Sequence, residues 1–364
     1  MTDAKLVLVT GAAGFIGAAV TRRLVGLGAR VVGVDDLSAG DPARLGGLPA
    51  ERFRWVEGDC RDGGLLDGLL SERPAAVLHL AGRVGVRRVL DDPELCEVEN
   101  LAIGAALGAS LRRAAERGVP APRVLAASTS EVYADAAAPL SESSSLRSTR
   151  ARGRWRYAAS KRACEEELDD ALHAVRRIDP GARDPLHLRF FNVVGPGQDG
   201  STGMVLPRFV EAALGGAPLQ VHGAGASVRT FAHVDAVADD LAALALPDRV
   251  TAAGPRRDAL REATGPLNLG GTASATAIQL ARTVAAAARA RTGRDCALVH
   301  VDPRRAVSAN FVEVAFRVPD LARARALGLV AAPWSLDEIV EDALERHVAP
   351  RPARRQQRCA SPAS

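Results

Sequence analysis

The first half of the chain alternates short apolar, β-branched runs with longer amphipathic stretches. The short runs are typical of buried strands, because apolar residues follow one another with little polar interruption. The longer stretches predict helices, of which the clearest cover residues 15–28, 94–117 and 157–177. The predicted strands are Lys5 to Thr10, Arg30 to Asp35, Phe53 to Glu57, Ala76 to Leu80, Arg123 to Ser128 and Leu186 to Phe191.

This alternation predicts an α/β fold with a doubly wound parallel sheet, a Rossmann fold, because parallel neighbours need a long crossover connection. The pattern loosens after Asn192, where a Gly-Pro-Gly sequence at 195–197 interrupts it. We expect a Rossmann domain over residues 1–192 and a smaller C-terminal substrate-binding lobe over 193–348, some segments of which return to the first domain. The polar composition of residues 349–364 predicts a disordered tail.

Two basic segments interrupt the regular pattern. Residues 141–156 are polar and rich in arginine, and two interpretations stay open: a solvated surface loop, or a lid that touches an anionic substrate. Residues 248–265 are also basic and predict a loop insertion.

Composition narrows the class of protein. The 364 residues are 47% hydrophobic and 25% charged, which excludes a disordered chain and a disulfide-stapled miniprotein. Five scattered cysteines without a CxxC pair favour reduced thiols and predict no metal site. The chain shows neither a leader sequence nor a long uncharged apolar stretch, so we expect a cytoplasmic protein without a membrane partner. The net charge of +4 suggests an anionic ligand but does not demand nucleic acid.

The strongest early motif is a glycine-rich turn, Gly11-Ala-Ala-Gly14-Phe-Ile-Gly17, which follows the first strand and opens a helix. Such glycines permit a tight turn and let the backbone approach a pyrophosphate at the helix N-terminus. The second strand ends in Asp35, whose carboxylate can accept hydrogen bonds from both ribose hydroxyls and would repel a 2′-phosphate. The sequence therefore predicts NAD as the cofactor.

A second motif is Tyr157-Ala-Ala-Ser-Lys161, whose two functional residues share one helix face. A lysine ammonium beside a phenol stabilises the phenolate, so we expect the pKa of Tyr157 to be lowered and the residue to act as a base. Thr129-Ser130-Glu131 follows the fifth strand. Hydride transfer needs a hydroxyl and the Tyr–Lys pair but no carboxylate, so Glu131 suggests a second proton-transfer step, while a helix cap or an arginine partner is the structural alternative.

Together these motifs resemble the NAD-dependent epimerase/dehydratase family of nucleotide-sugar enzymes, within the extended short-chain dehydrogenases/reductases. The resemblance extends to about residue 345. Further motifs in the family's order are Val77-Leu-His-Leu-Ala81, Leu188-Arg-Phe-Phe-Asn192, Val228-Arg229-Thr-Phe-Ala-His233 and Arg317-Val-Pro-Asp320. The resemblance implies a nucleotide-sugar substrate, for which a UDP-sugar is the leading candidate. It also implies a homodimer formed by helices 94–117 and 157–177.

Carried over residue by residue, the resemblance implies three groups of site residues. The cofactor-binding group is Gly11, Gly14, Phe15, Ile16, Gly17, Asp35, Asp59, Cys60, Leu80, Ala81, Gly82, Tyr157 and Lys161. The catalytic group is Thr129, Glu131, Tyr157 and Lys161. The substrate-binding group is Ser130, Asn192, Arg229 and Arg317.

The combination of Thr129-Ser130-Glu131 with Arg317-Val-Pro-Asp320 is most similar to the UDP-glucuronate decarboxylase-like branch. This similarity implies oxidation at the C4 hydroxyl, followed by decarboxylation or dehydration with the assistance of Glu131. A 4-epimerase without a role for Glu131 is the alternative. The chain departs from the family pattern at Gly82, Ala134, Gly197 and residues 224–226. These departures weaken the prediction of the substrate more than the prediction of the cofactor.

Overall fold

The structure is a computed structural model that describes residues 5–134, 139–251, 253–306, 312, 314–330 and 333–347. Its strands are β1 (Leu6–Thr10), β2 (Arg30–Asp35), β3 (Phe53–Glu57), β4 (Ala76–His79), β5 (Arg123–Thr129), β6 (Leu186–Phe190), β7 (Val193–Val194), β8 (Leu219–His222), β9 (Val228–His233), β10 (Gly265–Leu269), β11 (Ala273–Thr276), β12 (Leu298–Val301) and β13 (Phe316–Arg317).

The helices follow the strands in regular alternation through the first half of the chain. They are α1 (Phe15–Gly26), α2 (Gly63–Ser71), α3 (Val86–Asp91), α4 (Pro93–Glu116), α5 (Arg156–Arg176), α6 (Val205–Leu214), α7 (Val234–Ala245), α8 (Pro247–Val250), α9 (Pro255–Glu262), α10 (Ala277–Thr292), α11 (Pro303–Ala306), α12 (Ala322–Ala326) and α13 (Leu336–Glu345). Single turns of 3₁₀ helix lie at Pro42–Leu45, Ser130–Val132, Gly153–Trp155 and Gly200–Thr202.

Seven parallel strands form the central sheet in the order β10-β6-β5-β4-β1-β2-β3. This is the doubly wound α/β fold that the alternation predicts. Helices cover both faces: α1 packs against α7 on one face, and α4 packs against α2 and α5 on the other. Leu24 and Leu241 are fully buried in the first layer, as are Leu107 and Leu172 in the second. Because the strands are parallel, their carboxyl ends meet at one edge, where ligands bind in such sheets.

The later part of the chain adds small sheets beside that edge. Strand β9 pairs with β11, β13 and β7, and β8 pairs with β12. Phe209, Phe231 and Leu280 are buried between these strands and the helices α6, α10 and α13. Strand β10 lies late in the sequence but pairs with β6 at the edge of the central sheet. Through β10, the later part of the chain contributes a strand to the central sheet.

The predicted loop insertion over 248–265 is wrong, because α8 and α9 lie there. Pro247 and Pro255 each occupy the first turn of a helix, where a missing N–H costs nothing. Leu260 buries its side chain and anchors α9. Most other α9 residues are charged, so little apolar periodicity marked the helix. The predicted disordered tail, 349–364, lies outside the described residues.

Three further findings concern only the described residues. None of their helices is long and apolar enough to cross a membrane. No group of three or more His, Cys, Asp or Glu side chains among them is arranged to hold a metal ion. The four cysteines among them, Cys60, Cys96, Cys164 and Cys296, are free thiols.

Candidate active site

The glycine-rich turn between β1 and α1 is closed by backbone contacts. Gly11 has φ +70°, and a Cβ there would lie 2.8 Å from the amide nitrogen of Ala81. A Cβ on Gly17 would lie 2.0 Å from the carbonyl oxygen of Gly11. Phe15 and Ile16 form the first turn of α1, directly after Gly14. The turn and the helix N-terminus therefore leave a backbone surface that fits a dinucleotide pyrophosphate.

The carboxylate of Asp35 lies against this turn at the end of β2. It accepts hydrogen bonds from the amides of Ala13 (3.0 Å) and Leu37 (2.9 Å), one on each oxygen. Burial raises the pKa of Asp35, and these hydrogen bonds oppose the rise. Because each carboxylate oxygen has two acceptor sites, capacity remains for two ribose hydroxyls.

Asp59 and Cys60 follow β3 at the edge of the sheet. The amide of Gly58 donates to the carbonyl of Asp35, which joins this segment to the end of β2. Arg61 hydrogen-bonds to the Asp59 carboxylate (2.6 Å) and lowers its pKa. Cys60 is buried, which raises the pKa of its thiol to about 12 and keeps it neutral. Cys60 thus contributes shape rather than charge.

The segment after β4, Leu80-Ala81-Gly82, lies between the glycine-rich turn and the catalytic candidates. The amide of Leu80 donates to the carbonyl of Thr10 (3.1 Å). A Cβ on Gly82 would lie 2.8 Å from Lys161 Nζ, so the space that this glycine leaves holds the lysine tip. The structure therefore brings the predicted cofactor residues next to Lys161.

Thr129, Tyr157 and Lys161 meet between the end of β5 and the start of α5. Thr129 acts on the Tyr157 phenol in the direction of a lower pKa, and its hydroxyl accepts from the amide of Glu131 (3.2 Å). Lys161 Nζ donates to the carbonyl of Ala127 (3.3 Å). This is the arrangement of a phenol with a hydroxyl partner and a neighbouring cation that proton transfer at an alcohol requires.

The expected lowering of the pKa of Tyr157 is not found. Burial raises this pKa, and the charge of Glu131 raises it further, against weaker opposition from the Thr129 hydrogen bond and Arg317. Burial also lowers the pKa of Lys161. Desolvation thus outweighs the expected effect of the lysine, and sequence spacing gives no information about desolvation.

Glu131 lies two residues beyond Thr129 and is ion-paired with Arg317, whose Nη1 is 2.9 Å from Glu131 Oε1. Burial would raise the pKa of Glu131, but the charges of Arg317, Arg154 and Arg147 bring it below its usual value. The guanidinium groups of Arg147 and Arg154 lie 3.4 and 4.1 Å from the centre of the Trp155 ring. Part of the basic segment 141–156 is therefore directed at Glu131, and the carboxylate is ionised.

The remaining substrate candidates surround this cluster. Arg229 and Arg317 are register partners on the parallel strands β9 and β13, so their side chains share one face. Asn192 follows β6 with φ +38°, and its amide donates to the carbonyl of Thr230 (3.0 Å). Ser130 is buried in the turn between Thr129 and Glu131. The arrangement presents cations beside the carboxyl ends of the central strands.

Asn100 is a site residue that the sequence motifs do not reveal. Its Oδ1 accepts from the amide of Arg83 (2.9 Å), and its Nδ2 donates to Ser160 Oγ (3.4 Å). The same Oδ1 is 3.1 Å from the position of a Cβ on Gly82. Asn100 shares the buried face of α4 with Cys96 and Gly104 at intervals of four residues, and a polar residue on such a face was the available signal.

A doubly wound parallel sheet with a glycine-rich turn after its first strand is typical of dinucleotide-binding proteins. Comparison with known families narrows this class. Residues 7–253 match the model of the NAD dependent epimerase/dehydratase family, and the chain belongs to that family. The predicted family, fold and NAD cofactor are thereby confirmed.

Individual relatives differ in their activities. The UDP-glucose 4-epimerase of Mycolicibacterium smegmatis is 35% identical over 237 residues, 64% of this chain and 70% of that protein. The UDP-N-acetyl-alpha-D-glucosaminuronate decarboxylase of Bacillus cytotoxicus is 32% identical over 252 residues, 66% of this chain and 71% of that protein. The structure of the Thermus thermophilus UDP-glucose 4-epimerase with NAD superimposes with a TM-score of 0.73 at 26% identity, covering 94% of this chain and 98% of that one.

Proposed function

We propose that this protein modifies a nucleotide sugar through a transient 4-keto intermediate, and that it is a lyase of the decarboxylase or dehydratase type. A UDP-sugar is the leading candidate for the substrate. The observation that carries the proposal is the ionised Glu131 carboxylate, held by Arg317 on the turn that follows Thr129. Oxidation at C4 requires no such carboxylate. After oxidation, a dehydration uses a base that removes the C5 proton, and a decarboxylation uses a group that relays a proton from water to C5 once carbon dioxide has left; an ionised carboxylate can serve either step.

The first step falls to residues of β5 and α5. Tyr157, beside Thr129, takes the proton of the C4 hydroxyl in its phenolate form. Because burial raises the pKa of Tyr157, this role requires added positive charge, which Lys161, four residues further along α5, and a bound nicotinamide would supply. Bound NAD would supply a reversible hydride acceptor at C4. The cofactor residues named above hold it within residues 1–192, and the lobe over 193–348 holds most of the substrate.

The second step falls to the charged cluster around Glu131. A ketone at C4 makes a carboxylate on C5 labile and acidifies the C5 proton. Arg147, Arg154 and Arg317 each lower the pKa of Glu131, so positive charge from β13 and from the basic segment acts on this carboxylate. Cationic surroundings suit an anionic substituent on C5, so among lyase reactions the cluster favours decarboxylation of a uronate. Arg229 and Asn192 are assigned to the substrate diphosphate.

A 4-epimerase is the second candidate. Two of the relatives compared above carry that name, and the reaction needs Thr129, Tyr157 and Lys161 but not Glu131. After oxidation the ketone would rotate and receive hydride on its other face. In that case the Glu131–Arg317 pair serves only to shape the pocket.

The experiment supplies the purified protein with UDP-glucuronate, UDP-glucose, dTDP-glucose and GDP-mannose and identifies products by mass and NMR. Loss of carbon dioxide identifies a decarboxylase, loss of water a dehydratase, and an unchanged mass with inverted C4 an epimerase. Glu131→Gln should reduce lyase turnover about 10²- to 10⁴-fold. The matched control is Glu116→Gln, which neutralises an exposed carboxylate at the end of α4. Full lyase activity in Glu131→Gln would remove Glu131 from the reaction.

We also propose a homodimer formed through α4 and α5. Leu95, Val98 and Leu101 are exposed at intervals of three residues on α4, with Val98 63% exposed. An apolar stripe of this kind on a helix surface fits a second copy of the same helix pair. Sedimentation equilibrium checks the assembly, and a monomer at micromolar concentration would contradict it.

A further inference from the structure

A chain of buried polar side chains runs from α5 across the central sheet. Glu165, one turn beyond Lys161, accepts from Ser128 Oγ (2.6 Å) and from Arg189 Nε (3.0 Å) and Nη2 (2.7 Å). Glu165 is 3% and Arg189 2% exposed. A buried ion pair on neighbouring elements ties the orientation of α5 to strand β6.

The chain continues through Tyr133 to Asn268. Arg189 Nη1 donates to the Tyr133 hydroxyl (3.2 Å), and that hydroxyl donates to Asn268 Oδ1 (2.5 Å). Asn268 Nδ2 in turn donates to the carbonyls of Leu140 (2.8 Å) and Asp320 (3.2 Å). Tyr133 and Asn268 are 2% and 0% exposed, so the bonds from Arg189 through Tyr133 and Asn268 to Leu140 are shielded from water.

These bonds end on the two segments that carry Glu131 and Arg317, the ion pair to which we assign the lyase step. Tyr133 closes the turn that begins at Ser130 and contains Glu131. Asp320 lies three residues beyond Arg317, and its amide donates to the carbonyl of Leu140 (2.8 Å). Tyr133 and Asn268 therefore hold the backbone on both sides of the 2.9 Å contact between Glu131 and Arg317.

We propose that Tyr133 and Asn268 are positioning residues that set the separation of Glu131 and Arg317, and so decide how fast the 4-keto intermediate reacts onward. The proposal rests on the proposed lyase function. Lys161 contacts the carbonyl of Ala127 on β5, and Thr129 is itself the last residue of β5, so the oxidation step depends less directly on the clamp formed by Tyr133 and Asn268. The clamp therefore acts more strongly on the second step than on the first.

The test is Tyr133→Phe in the NAD-loaded enzyme under single-turnover conditions. The variant removes one hydroxyl that is both donor and acceptor and leaves the ring in place. We expect the rate of nicotinamide reduction to stay within about twofold of wild type, while formation of lyase product falls tenfold or more, on the order of one lost hydrogen bond. Reduced cofactor and 4-keto sugar should therefore accumulate together.

Two comparisons keep the test sharp. Ser110→Ala removes a buried hydroxyl where α4 packs on α2 and should leave both rates unchanged. If Tyr133→Phe fails to fold by thermal unfolding, Asn268→Ala replaces it, because it removes the bonds to Tyr133, Leu140 and Asp320 without burying a charge.

The outcomes distinguish the two proposals. A wild-type enzyme that gives only an epimer contradicts the lyase function before any variant is made. A wild-type lyase whose two rates change equally in the variant, or not at all, contradicts the clamp alone.

Discussion

The two ends of the candidate site are built in different ways. At the cofactor end, the turn from Gly11 to Gly17, contacts join backbone to backbone within one strand–turn–helix unit. At the proposed sugar end, formed by Glu131, Arg317, Arg147 and Arg154, the contacts join side chains: Arg317 pairs with Glu131, and Arg147 and Arg154 lie over the ring of Trp155. Glu131 and Arg317 are separated by 186 positions in the sequence.

The difference explains how one family can keep its cofactor and vary its reaction. A Cβ on Gly17 would lie only 2.0 Å from the carbonyl oxygen of Gly11, so no side chain fits at this position and the cofactor end tolerates little change. A charged pair on two separate segments can be exchanged for other residues while the sheet stays intact. Substitutions at the two ends should therefore have effects of different kinds as well as different sizes.

The largest effect is expected for Gly17→Ala at the cofactor end. The added Cβ would overlap the carbonyl of Gly11, and since that atom is backbone, the turn itself must move. We expect destabilisation of about 3 kcal/mol or more and loss of NAD binding. Thermal unfolding and calorimetric titration with NAD measure the two quantities.

Gly26→Ala is the matched control on the same helix. A Cβ at this position would have no atom within 4 Å, and alanine is the better helix former, so stability should stay the same or rise by up to about 1 kcal/mol and NAD binding should be retained. Equal behaviour of the two variants would show that the close approach at Gly17 is not required.

A smaller effect, and one of a different kind, is expected for Arg317→Gln at the sugar end. Arg317 opposes the rise that burial imposes on the pKa of Glu131, so its removal moves that pKa upward. If turnover requires the ionised carboxylate, the acidic limb of the pH–rate profile must then move to higher pH. At neutral pH we expect roughly a thirtyfold loss of lyase turnover, equivalent to about 2 kcal/mol.

The control is Arg305→Gln, which removes an arginine whose side chain is 92% exposed. Its profile should overlay that of wild type. An acidic limb that stays in place in Arg317→Gln, or moves to lower pH, would mean that Glu131 does not set it.

The two ends also differ in how far the sequence predicts them. The glycine-rich turn and Asp35 lie within a local pattern whose geometry follows from strand, turn and helix. Tyr157 and Lys161 are likewise placed by helical spacing. Most predicted strand limits agree within a residue, although Thr129 proves to be the last residue of β5 rather than the first residue after it.

What the sequence could not supply depends on long-range contacts and on burial. The resemblance placed Arg317 near the sugar, but its bond to Glu131 needs the pairing of β13 with β9. The stacking of Arg147 and Arg154 on Trp155 has no one-dimensional signature. Desolvation, which raises the pKa of Tyr157 instead of lowering it, is likewise a property of the folded site.

The smallest effect is expected for Gly82→Ala, where the two ends meet. The new Cβ would lie 2.8 Å from Lys161 Nζ, a distance as short as that from a Cβ on Gly11 to the Ala81 amide. Here, however, the nearest neighbour is the tip of a flexible side chain, and the next is Oδ1 of Asn100 at 3.1 Å; these side-chain atoms need retreat by only a few tenths of an ångström. Replacing glycine also lowers the entropy of the unfolded chain, so we expect stability to rise by about 0.4–1 kcal/mol.

Turnover and NAD affinity in Gly82→Ala should stay within about threefold of wild type, since the ammonium group keeps its charge and most of its position. Thermal unfolding and steady-state kinetics measure both changes. A loss of turnover comparable to that of Gly17→Ala would mean that Lys161 is held as rigidly as the backbone. Lys161 would then belong to the fixed cofactor end, and only the residues beyond α5 would form an adjustable sugar end.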